Sequence, residues 1–163
     1  YEKIMKYRNH GLVNRDECEF WGINSRLDEI HAGIGNIKLK YLNNWTEQYR
    51  KYAKIYIEYL KDYVIVPNLE NYEEPVFHRF MIQSSDRDNL LNFLSEQGVE
   101  TKINYPIPLH LQPAAKNLNY KLGDFPVAED LSNKILSLPL YPEIFEDQIM
   151  YVIDKVIEFC KKK

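Results

Sequence analysis

The sequence has little with which to build several familiar kinds of site. Its 163 residues hold two cysteines, Cys18 and Cys160, and four histidines, His10, His31, His78 and His110. The cysteines stand far apart with no metal-ligand spacing around either, which points to a reducing, cytoplasmic setting. The histidines are too scattered for a local metal motif, so a metal-dependent hydrolase built on them finds no ligands at close spacing. Basic residues are not in excess: 21 Lys and Arg against 24 Asp and Glu give a formal net charge of -3. That balance, with a pI of about 5.8, argues against a nucleic-acid footprint. The only basic cluster, Lys161-Lys162-Lys163, reads as a solvated helix end. No apolar run approaches membrane-spanning length, and no signal-peptide pattern is present. Glycine-rich phosphate loops, serine–histidine–acid arrangements and a cysteine nucleophile context are all missing. The chain also opens at Tyr1 without a methionine, inside what reads as a charged helix, as an excised piece would.

What is present suits a compact fold. Apolar residues make up 45% and charged residues 28%, near the globular average, and the length is enough for one core. The thirteen tyrosines recur in helical stretches and read as packing residues. Residues 1–23 show no clean period but carry turn chemistry at Asn9-His10-Gly11 and Trp21-Gly22. Ser25 offers a helix N-cap with Asp28 three residues on, and Leu27, Ile30, Ile34, Ile37 and Tyr41 follow as a helical stripe. Gly33 and Gly35 inside it cost about 1 kcal/mol each against alanine, which suggests close backbone approach to another element. Asn44 with Glu47 resembles a second cap and box, leading into Trp45, Tyr49, Tyr52, Tyr56 and Tyr59. Two long consecutive helices are thus expected over roughly 26–61.

Beyond them the pattern changes. Short strands are predicted at 63–66 and 76–82. Asp86 can cap a helix carrying Leu90, Leu91, Phe93 and Leu94, with Gly98 as its C′ residue. Residues 99–105 alternate as a half-buried strand, and the prolines of 105–110 exclude both helix and central strand. Asp124 and Pro126 start a helix through Val127, Leu131 and Ile135, then 138–142 forms a rigid connector. A last helix carries Ile149, Val152, Ile153, Val156 and Cys160 on one face. The expected class is α+β: a small, mostly antiparallel sheet covered by helices on one side. Among the histidines, His31 and His78 suit packing or surface roles. His110 ends the proline-stiffened loop, where a fixed backbone can hold a polar group toward a ligand, and both its readings stay open on residues alone.

Five ordered blocks carry a resemblance. They are Gly22-Ile-Asn-Ser-Arg-Leu-Asp-Glu-Ile-His-Ala32; Arg87-Asp88; Gly98-Val-Glu-Thr101 with Tyr105-Pro-Ile-Pro-Leu-His-Leu-Gln-Pro113; Gly123-Asp-Phe-Pro-Val-Ala-Glu129; and Leu136-Ser-Leu-Pro-Leu-Tyr-Pro142. Together with Arg8-Asn-His-Gly11 they resemble the C-terminal part of the DegT/StrS-type (DegT/DnrJ/EryC/StrS) sugar-nucleotide aminotransferases. The resemblance implies a fold-type I aminotransferase that uses pyridoxal phosphate and works as a homodimer. It implies a remnant of the large cofactor domain at 1–23, interdomain helices at 24–62 and the small C-terminal domain at 63–163. The amino group would pass from an amino acid, usually glutamate, to a nucleotide-linked keto-sugar.

The same resemblance assigns residues. Asn24 matches the asparagine that reaches across the dimer to the cofactor phosphate. Arg26 matches a position that meets acidic groups of the substrate, with an interdomain ion pair as the alternative. Tyr105 and His110 match the loop lining the sugar pocket, and Asn104 stands where many relatives have histidine. His31 and Gly33 replace a commoner glutamine and alanine. The asparagine–serine–arginine form leans toward 3-keto over 4-keto sugars. The Schiff-base lysine and the acid facing the cofactor ring would lie upstream of Tyr1, so no residue is assigned as catalytic and the chain alone is expected to be inactive. Lys38 and Lys40 match no such role. A ligand-sensing or regulatory module derived from the family is the competing expectation.

Overall fold

The computed structural model describes residues 1–69 and 74–162; Lys163, part of the expected basic helix end, lies outside them. The chain divides into two compact units, 1–43 and 44–163.

In the first unit, helix α1 (Glu2–Tyr7) runs into a tight reversal. His10 and Gly11 both take positive φ, 60° and 73°, a pair of values that suits a short turn. The returning strand pairs back: Ile23 donates its N–H to Tyr7 (2.8 Å), His10 to Ile23 (3.0 Å) and Ser25 to Arg8 (2.8 Å). Space here requires glycine. A Cβ on Gly11 would stand 1.6 Å from the Phe20 carbonyl oxygen, and one on Gly22 would stand 2.5 Å from the backbone of Gly11 and Tyr7. Helix α2 starts later than expected, at Glu29, and runs to Leu39 with Asp28, in place of Ser25, at its N-cap. It buries no residue. The close approach expected at Gly33 and Gly35 is not found, since nothing lies within 4 Å of a Cβ built on either.

The second unit has the core. Helix α3 (Leu42–Leu60) starts two residues before Asn44, so that residue is not its cap, and it buries Tyr52, Ala53, Tyr56 and Leu60. Strand β1 (Phe80–Gln83) is shorter than expected because Phe77, at φ 51°, breaks the extended run. It pairs antiparallel with β2 (Ile135–Leu138), Phe80 facing Leu138 and Ile82 facing Leu136. Single antiparallel bridges flank this pair, Ile65 to Gln83 and Lys102 to Ser137. The expected strands at 63–66 and 99–105 are reduced to these bridges.

Helix α4 (Arg87–Glu96) follows Asp86 as expected. It ends with Gly98 at φ 75°, Gly98 N–H on Ser95 O (3.0 Å) and Val99 N–H on Leu94 O (2.9 Å). This is a Schellman closure, and its apolar pair, Leu94 and Val99, is buried in the core. Helix α5 (Pro126–Lys134) passes into β2 with no intervening loop. Arg87 makes that junction possible. Its side chain is buried, and its Nη1 donates to the carbonyls of Ser132 (3.1 Å) and Ile135 (3.2 Å), which the helix end would otherwise leave open. Helix α6 (Glu146–Lys161) buries Ile149, Val152, Ile153 and Val156, the face expected from its period. The result is α+β, with Tyr56 stacked on Phe80 (centroids 4.9 Å apart) at the centre of the core.

Candidate functional site

Two places carry the residues singled out by sequence, and they fall in different units. In the first unit, Asn24 sits on the returning strand, bridged to Asn9, and Arg26 follows it before α2. Both are exposed. Arg26 Nε donates to Asn24 Oδ1 at 3.1 Å, and the Asn24 amide N–H2 and the outer guanidinium nitrogens have no hydrogen-bond partner among the described residues. Those groups are hydrogen-bond donors open to solvent.

In the second unit the proline-stiffened loop is tied at both ends. Asn104, half-buried, accepts from Arg79 Nη1 through Oδ1 and donates from Nδ2 to Ser137 Oγ at 3.0 Å. Its peptide bond to Tyr105 is cis. Asn104 lines a cleft of about 830 Å³ with Arg79, Lys102, Ser137, Tyr141 and Tyr151 among its walls. Val99, Leu138 and Val152 contribute apolar surface to it. Tyr105 is largely exposed and borders a separate, smaller cavity of about 340 Å³ with Ile107, Pro108, Leu109 and Leu131. His110 lines neither cavity. Its side chain is 7% exposed and pairs with Glu129, Nε2 to Oε1 at 2.9 Å.

Glu129 closes the Gly123–Glu129 motif, which by itself implies no role for it. In the structure its carboxylate also accepts the N–H of Gly123 (2.9 Å to each oxygen) and of Phe125 (3.2 Å). Burial pushes its pKa up, but the two backbone amides and the His110 ring outweigh that and hold it below the ordinary 4.5. The signal that could have found it is the spacing. A glutamate four residues past Phe125, in the first turn of a helix that opens with proline, is placed to cap the N–H groups before it. Among the described residues no group of three His, Cys, Asp or Glu side chains is placed to hold a metal, and no helix is long and apolar enough to cross a membrane.

Comparison with known proteins gives this geometry a context. Residues 1–157 match the profile of the DegT/DnrJ/EryC1/StrS aminotransferase family. The chain is 43% identical, over 98% of its length, to the "Pleiotropic regulatory protein" of Geobacillus stearothermophilus, of which it covers 44%. It is 33% identical, over 95% of its length, to the dTDP-3-amino-3,6-dideoxy-alpha-D-galactopyranose transaminase of Aneurinibacillus thermoaerophilus, covering 42% of that protein. Its structure is similar to that of S. venezuelae DesV, solved in complex with a ketimine intermediate. The TM-score is 0.89 and the identity 33%, with 98% of this chain and 44% of DesV covered. The chain therefore spans less than half the length of the curated relatives it matches.

Proposed function

The chain belongs to the DegT/DnrJ/EryC1/StrS aminotransferase family, and from that premise we propose that the complete protein is a pyridoxal phosphate-dependent sugar aminotransferase. It passes the amino group of an amino acid, glutamate by expectation, to a nucleotide-linked keto-sugar, with 3-keto favoured over 4-keto. The observation that carries the reading is the family match over 1–157 joined to a relative named as a 3-amino-sugar transaminase. Amino-sugar supply for a surface polysaccharide, glycan or antibiotic, in the cytoplasm, is the corresponding role.

The residues present fit the cofactor on the chemistry of their donors. Asn24 offers an amide N–H2 and Arg26 the outer edge of its guanidinium, donors of the kind an anion accepts. Asn24 would hold the cofactor phosphate across a homodimer interface, and Arg26 an acidic group of the substrate. The cofactor, when bound, supplies an electron sink for moving the amino group. The chain's own contribution is recognition and orientation. Tyr105 and Asn104 present a phenol and a fixed amide on the loop, while the Arg79–Asn104–Ser137 chain prevents that amide from rotating. No residue of 1–163 is assigned the catalytic lysine's role, so this portion alone is inactive.

Incubating the complete protein with pyridoxal phosphate, glutamate and nucleotide-linked 3-keto or 4-keto sugars tests the reading by mass spectrometry. Formation of the amino sugar, fastest from the 3-keto substrate, is expected; none from any keto-sugar would overturn it. A second reading draws support from the name of the 43%-identical relative, a pleiotropic regulatory protein. Under it, the complete protein binds a nucleotide sugar without turnover, which calorimetry would detect in the same samples.

A further inference from the structure

The carboxylate of Glu129 receives four hydrogen bonds from three separate points of the chain. Two come from Gly123 N–H, one from Phe125 N–H and one from the His110 ring. Gly123 and Phe125 belong to the turn that opens α5, while His110 closes the 105–110 loop. One side chain, 13% exposed, thus joins that loop to the helix start. A carboxylate can only accept, so the Nε2 of His110 must carry the hydrogen. In the neutral ring, Nδ1 is then the acceptor. The ring is further held by Phe125, centroid to centroid 4.7 Å, itself braced edge-on by Tyr120 at 5.1 Å. Among the described residues no buried side-chain nitrogen or oxygen lacks a partner. Nδ1 has none, so it must lie at the surface that the side chain still exposes.

We propose that Glu129 is a positioning residue, which fixes His110 as an Nδ1 acceptor for a donor group of the ligand, such as a sugar hydroxyl. The choice of a sugar rests on the aminotransferase reading above; the fixed tautomer does not. Without Glu129, the ring is free to turn or to exchange tautomers, and the acceptor is no longer presented at one place. The loop also loses its tie to α5, while the Asn104 end keeps its bonds to Arg79 and Ser137.

The complete protein and its Glu129→Gln and Glu129→Asp variants provide the test. In Glu129→Gln the KM for the nucleotide sugar should rise about 10- to 100-fold, by analogy with the loss seen when the partner orienting a metal-ligating histidine is removed. The half-reaction with the amino donor alone should stay unchanged. Glu129→Asp, which keeps the charge on a shorter stem, should recover part of the loss. Nitrogen-15 NMR of the His110 ring reads the tautomer directly: one Nε2–H form in the parent protein and a mixture in Glu129→Gln. An unchanged KM and an unchanged single tautomer in Glu129→Gln would overturn the proposal, as would equal losses in both half-reactions. If the protein aminates no sugar at all, the aminotransferase reading falls, and the ring tautomer alone decides the role of Glu129.

Discussion

Helices α2 and α6 carry the same kind of apolar stripe, and only one of them buries it. On α6, Ile149, Ile153 and Val156 are 0% exposed; on α2, Ile30, Ile34 and Ile37 are 76%, 49% and 59% exposed. A period of 3.6 residues states which face of a helix is apolar. It does not state what covers that face. For α6 the cover is α4 and the rest of the core cluster, all in the second unit. For α2 nothing among the described residues serves, and an uncovered stripe of this kind is a surface for association. The second unit therefore has a core of its own, whereas the first leaves its apolar stripe exposed beside a stiff turn.

Substitution in the two regions should separate them most sharply. Phe80→Ala removes a fully buried ring of β1 that stacks on Tyr56, and should cost about 3–5 kcal/mol in urea unfolding. Ile34→Ala should change stability by no more than about 0.5 kcal/mol in the same chain. A comparable cost at both positions would mean that α2 is covered after all. The glycines offer a smaller contrast of opposite sign. Gly11→Ala and Gly22→Ala force a Cβ into backbone and should each cost more than about 1 kcal/mol, Gly11 adding the strain of positive φ. Gly33→Ala and Gly35→Ala should stabilise α2 by about 1 kcal/mol each, read as slower amide exchange along that helix. If the complete protein reverses that sign, another element approaches α2 there.

The smallest effect is local and depends on pH. The folded pKa of Glu129 is depressed below 4.5, so its contribution is fully present above that value and declines as pH falls through the folded pKa. Amide protection at Gly123 and Phe125, the exchange rate taken relative to that of a free peptide at the same pH, should fall on acidification below about 4.5, while the turn at Gly11 and Gly22, which contains no such carboxylate cap, should keep its protection. Glu129→Gln should remove the acid response.

The helices α3 to α6, the Schellman end at Gly98 and the turns at Gly11 and Gly22 were legible because each is a local pattern with a local cause. Strand β2 was not. Ile135-Leu-Ser-Leu138 follows α5 without a turn residue, so the helical period ran on through Ile135, and the stop is supplied by Arg87, nearly 50 residues away. The strands expected at 63–66 and 99–105 had the right alternation but only single-residue pairing, which no pattern within the segment reveals. At the site, the loop was recognisable by its prolines and by resemblance. Its anchors were not, since Arg79, Ser137 and Glu129 stand 25, 33 and 19 positions from the residues they hold.

Those anchors have a thermodynamic consequence. Ser137 lies on β2 and Glu129 on α5, and α5 continues into β2 without a break. Residues 104 and 110 are thus fastened to one continuous stretch of chain. Ordering a free backbone costs about 1–2 kcal/mol per residue, and for this loop that cost is met when the unit folds. A ligand would then encounter a preformed surface, with a smaller entropy loss on binding and no loop closure to slow its arrival.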